Sequence, residues 1–137
     1  MKRFIIATHA YMSKGMKTSL ELILGKQDNV SVYCAYAQDE PYFKPLIIKE
    51  IEEHSDDEFV IMTDLLGGSV NNDLLELTSR GNVHLITGIN LILVMSILLT
   101  IPNCEDIVST IHQCIEDAKT GIVYCNEIQI DTELDEL

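Results

Sequence analysis

Few side chains in this chain of 137 residues combine reactivity with a place where a fold could present them. His9 stands directly after the apolar run Arg3–Thr8, and Asp64 directly after the run Glu58–Thr63. A carboxylate beside an imidazole accepts the proton of one ring nitrogen, fixes the tautomer and leaves the other nitrogen's lone pair as a nucleophile. Beyond Asp64 the chain reads Leu65-Leu66-Gly67-Gly68-Ser69 and then turns helical in pattern. Glycines there let a backbone come close, and the free N–H groups of a helix start favour an anion such as a phosphoryl group. A histidine, an aspartate and Gly67, Gly68 and Ser69 at a helix start are what transient phosphorylation of histidine requires. Thr8, adjoining His9, and Asn90 in the segment Gly88-Ile89-Asn90 are further candidates. Bland roles exist for the same residue types: an aspartate or Asn90 capping a helix, glycines making a turn.

Those residues need a scaffold, and the order of apolar patterns specifies one. Arg3–Thr8, Val30–Tyr36, Glu58–Thr63 and Asn82–Thr87 read as strands, with Gly121–Cys125 a candidate fifth. Between them, Ser13–Leu24, Pro41–His54, a segment from Ser69 or Asn71 through Arg80, Ile89–Thr100 and Asp106–Lys119 carry apolar residues at helical spacing. Strands that are apolar throughout, alternating with helices, predict a parallel sheet covered on both faces. The fold class expected is a three-layer α/β/α, doubly wound sheet of four to five strands. Ligands in such sheets bind at the carboxyl ends of the strands, where the strand order reverses. With the first strand beside the third, His9 and Asp64 become neighbours at that point.

Composition narrows the function. Twenty-two acids against nine bases give a net charge of −13, contrary to the clustered Lys and Arg that nucleic-acid binding needs. Apolar residues make up 47%, enough for one core. Cys34, Cys104, Cys114 and Cys125 form no CxxC pair and no zinc-like spacing with histidine, so reduced thiols and a cytoplasmic location are expected. Lys2 and Arg3 precede too short an apolar run for a signal sequence. The apolar stretch Leu85–Ile101 is interrupted by Thr87, Gly88 and Asn90 and closed by Pro102, so it reads as a strand and a buried helix rather than a membrane span. No metal or other cofactor is expected, because no second carboxylate accompanies Asp64 at the strand ends. His54, His84 and His112 sit inside elements and read as structural.

The segment THAYMSKGMKTSLELILG, Thr8–Gly25, resembles the active-site histidine segment of the mannose-family enzyme IIA domains of the phosphoenolpyruvate-dependent sugar phosphotransferase system (PTS). TDLLGGSVNN, Thr63–Asn72, is similar to that family's D-x-x-G-G-S-x-x-N segment, and GINLILVMSIL, Gly88–Leu98, to its G-x-N-hydrophobic segment. The resemblance covers about residues 1–125, one IIA domain, with 126–137 an acidic tail. It implies that His9 carries phosphate on Nε2, that Asp64 holds Nδ1–H and that Ser69 contacts the phosphoryl group. It further implies a last strand antiparallel to the rest and a homodimer in which C-terminal segments meet or exchange. The donor would be the histidine-containing phosphocarrier protein and the acceptor an enzyme IIB, with the membrane reached only through IIC and IID subunits. Three positions depart from the pattern: Ala10 and Val70 stand where glycine and proline are common, and Ile92 follows Leu91 where proline is common. They reshape the pocket without removing a reacting group.

Competing readings are a regulatory module of the same fold phosphorylated as a signal, and the phosphoryl-donating subunit of dihydroxyacetone kinase. A receiver domain phosphorylated on Asp64 would need an acidic pair after the first strand, where Thr8-His9 stands instead.

Overall fold

A computed structural model describes residues 1–129. Its elements run β1 (Lys2–His9), α1 (Met12–Leu24), β2 (Val30–Ala35), α2 (Phe43–Glu53), β3 (Glu58–Thr63), α3 (Ser69–Leu74), β4 (Val83–Thr87), α4 (Leu91–Thr100) and α5 (Ile107–Lys119). The sheet order is β2-β1-β3-β4, and every neighbouring pair is parallel. This is the expected three-layer α/β/α arrangement, with β1 in the centre and the order reversing between β1 and β3.

The residues explain the layers. Phe4–Ala7 are fully buried because alternate side chains of β1 feed different cores. Phe4 and Ile6 join Val60, Met62, Val94 and Ile97 under α1, α4 and α5. Ile5 and Ala7 join Phe43, Ile47, Phe59, Ile61 and Leu74 under α2 and α3. The start of β1 is tied down by Arg3, whose Nε donates to Asp57 Oδ2 at 2.7 Å and holds that carboxyl below its usual range.

Several boundaries differ from the sequence reading. The helix expected through Arg80 stops at Leu74 and continues as a 3-10 turn over Leu75–Ser79. The helix expected from Ile89 begins at Leu91, because Asn90 is its cap: Asn90 Oδ1 accepts from Leu93 N at 2.9 Å. Gly121–Cys125 is not a strand. The chain there is irregular, with a 3-10 turn at Cys125–Glu127 closed by local bonds from Glu127 N and Ile128 N, and Ile122, Val123 and Tyr124 stand exposed. No sheet edge pairs with it, so its apolar, branched composition has no ladder to join, and no antiparallel strand occurs among the described residues. Of the expected acidic tail, residues 130–137 lie outside the described residues. Cys34, Cys104, Cys114 and Cys125 are free thiols. Among the described residues, no helix is long and apolar enough to cross a membrane.

Candidate functional site

β1 and β3 run side by side with Ala7 opposite Thr63, so one further residue along each strand brings His9 and Asp64 together. Asp64 accepts twice from His9. Its Oδ2 takes the backbone N–H at 3.0 Å and lies 3.0 Å from Nδ1, while Oδ1 lies 3.2 Å from the same ring nitrogen. An ionised carboxylate can only accept, so Nδ1 carries the hydrogen and the lone pair of a neutral ring is at Nε2. The pair is graded in exposure: the imidazole is 40% accessible and the carboxylate 14%. A shielded acid holding one edge of an accessible imidazole is the geometry of an oriented nucleophile.

The glycine segment reaches the same ring. Gly67 has φ +79, a conformation other residues adopt only with strain, in the turn between β3 and α3. At Gly68 the space for a side chain is taken: a Cβ there would lie 3.3 Å from His9 Cε1 and 3.1 Å from the Leu65 carbonyl oxygen. α3 then starts at Ser69, and the amides of its first turn have no intrahelical acceptor. The turn is anchored by a buried bond from Thr63 Oγ1 to Asn71 Oδ1 at 2.8 Å.

Two candidates lie apart from this cluster. Thr8 is fully buried on the side of Phe4 and Ile6, and its hydroxyl has no partner. Asn90 spends its side-chain oxygen on capping α4. It also lines a cavity of about 160 Å³ with Thr87, Gly88, Leu93, Ile115 and Lys119, which neither His9 nor Asp64 borders. Among the described residues, no group of three or more His, Cys, Asp or Glu side chains is placed to hold a metal ion.

One residue of the site was missed. Tyr36, directly after β2, places its ring 5.8 Å from the imidazole of His9, and its hydroxyl donates to Ser69 Oγ at 2.9 Å. The strand-end rule that singles out His9 and Asp64 also leads here, because β2 is the other neighbour of β1. Reading Tyr36 as the last residue of an apolar strand concealed it. Its loop is tied to α1, where Tyr11 Oη donates to Asp39 Oδ1 at 2.6 Å and so has its own pKa raised, and where Lys14 pairs with Glu40.

Comparison with known proteins gives the family and the fold. The family described as "PTS system fructose IIA component" matches residues 3–116. A structure from Klebsiella pneumoniae, described as a phosphoenolpyruvate-dependent sugar phosphotransferase system permease, is 32% identical, with 92% of each chain covered and a TM-score of 0.84. The phosphotransferase component EIIA of Streptococcus agalactiae is 26% identical over 93% of this chain and 100% of that one, with a TM-score of 0.79. A mannose/sorbose-specific IIA subunit from Enterococcus faecalis shares the fold at 16% identity, with 96% and 98% covered and a TM-score of 0.78. No match to a curated protein was found.

Proposed function

Given that the chain belongs to the PTS fructose IIA component family, we propose that it is a phosphoryl carrier whose phosphate rides on His9. The observation that carries this reading is the double grip of Asp64 on His9, at the backbone N–H and at Nδ1. Neutral His9 Nε2 attacks the phosphorus of the phosphohistidine on the histidine-containing phosphocarrier protein. A P–Nε2 bond forms, the donor's P–N bond breaks, and its electron pair returns to the donor's ring nitrogen. The proton stays on Nδ1, where the positive charge that develops on the ring lies against the Asp64 carboxylate. Positioning and electrostatics dominate phosphoryl transfer. The amides at the start of α3 and the Ser69 hydroxyl receive the phosphoryl oxygens, and Gly68 leaves the room they need. The group then passes to an enzyme IIB, which phosphorylates sugar that IIC and IID subunits import.

Residues 1–125 form the carrier domain, 126–137 an acidic tail, and the working unit is a cytoplasmic homodimer. Incubation with radiolabelled phosphoenolpyruvate, enzyme I and the phosphocarrier protein tests the carrier role. Acid-labile, base-stable label is expected on the wild-type protein and none on His9→Ala. Equal labelling of the folded His9→Ala protein overturns the assignment.

A further inference from the structure

We propose that Tyr36 is a positioning residue of the phosphoryl site, turning the hydroxyl proton of Ser69 toward the group that His9 carries. This rests on the carrier reading and names a part of the site that the reading does not contain. Tyr36 is 60% accessible, yet it is held from several sides. Its ring meets that of the buried Phe43 edge-on at 6.1 Å and 87°, and stands tilted by 41° against the imidazole of His9. Its backbone has φ 63, the left-handed region that a bulky residue occupies only when its surroundings require it.

The hydrogen-bond direction supplies the argument. A serine hydroxyl has one proton to donate and two lone pairs. Tyr36 Oη donates into one lone pair of Ser69 Oγ, so Ser69 retains its proton for another acceptor. Without Tyr36 the Ser69 hydroxyl rotates freely and offers an anion either a lone pair or a proton. With it, the lone pair facing Tyr36 is engaged and the proton is directed away, which is the arrangement an anionic phosphoryl oxygen requires. The strained Tyr36 backbone brings the phenol to that point from β2, while Gly68 brings Ser69 there from β3. The two arms close around the imidazole. A tyrosine kept only for packing would not need its hydroxyl on a serine of the opposite arm.

The test is a double-mutant cycle in the full chain with Tyr36→Phe, Ser69→Ala and both together. The reads are phosphoryl transfer from the phosphocarrier protein, its kcat and KM, and thermal midpoints. Tyr36→Phe is expected to lower kcat about tenfold, the scale of one hydrogen bond to a charged group, with KM and the midpoint unchanged. The double variant is expected to be no slower than Ser69→Ala alone, because the phenol acts through that serine. Wild-type kcat in Tyr36→Phe, multiplied effects in the double variant, or a change confined to KM would each overturn the proposal while leaving the carrier reading intact. A wild-type protein that takes no phosphoryl group on His9 would overturn both.

Discussion

Ala10 holds φ 51 immediately after His9, and its N–H donates to the carbonyl of Ala35 at 2.8 Å, next to the left-handed Tyr36 that follows β2. Two neighbouring strands therefore end in left-handed residues, and both turns lie beside the reactive imidazole. The conformation costs a non-glycine residue roughly 1–2 kcal/mol, whereas glycine loses only about 0.4–1 kcal/mol more chain entropy on folding. Ala10→Gly is thus expected to raise stability by about 0.5–1 kcal/mol in denaturant unfolding; a lower midpoint would contradict the strain. At this scale the sequence was legible wherever a residue type is rare and its placement regular. His9 and Asp64 follow apolar runs, so topology alone pairs them. Tyr36 was not legible because aromatic residues are ordinary at strand ends, and only its backbone angle and its bond to Ser69 set it apart. Thr8 and Asn90 stand outside the cluster: adjacency in sequence becomes opposite faces in a strand, and Asn90 caps α4.

Four strands and five helices could be read from periodicity, because burial on both faces leaves the strands apolar and the helices one-sided. The errors fall where local pattern is a poor guide to tertiary partners. After the six α-helical residues Ser69–Leu74 the chain tightens into the 3-10 turn Leu75–Ser79, so Leu74 and Leu77 stay buried while Leu75 turns outward. Gly121–Cys125 has strand composition without a strand to pair with. Ile122, Val123 and Tyr124 are exposed there, as are Ile92 and Leu99 on α4 and Leu22 and Ile23 on α1. Each such side chain gains about 1.5–3 kcal/mol on full burial, so the homodimer proposed above would gain stability by covering them. Sedimentation equilibrium is expected to give the mass of two chains at micromolar concentration. A single-chain mass throughout would remove the homodimer from the account.

At the scale of the molecule, the doubly wound order does what neither residues nor elements do alone. It brings His9 and Asp64, 55 positions apart, into contact at the point where the strand order reverses. Parallel crossovers are right-handed almost without exception, which is why the arrangement followed from the order of elements. The acidic surface, at −13 overall, requires that an anionic phosphoryl group be met by local donors rather than by net charge. Asp64 cannot be such a donor, so it must act on the far side of the ring. The most direct measurement is therefore of the ring itself: nitrogen NMR of selectively labelled histidine before and after phosphorylation by the phosphocarrier protein. We expect His9 to hold its hydrogen on Nδ1 in both states and to gain phosphorus coupling at Nε2 alone. Phosphorus on Nδ1, or a His9 spectrum unchanged while the protein carries phosphate elsewhere, would contradict the account.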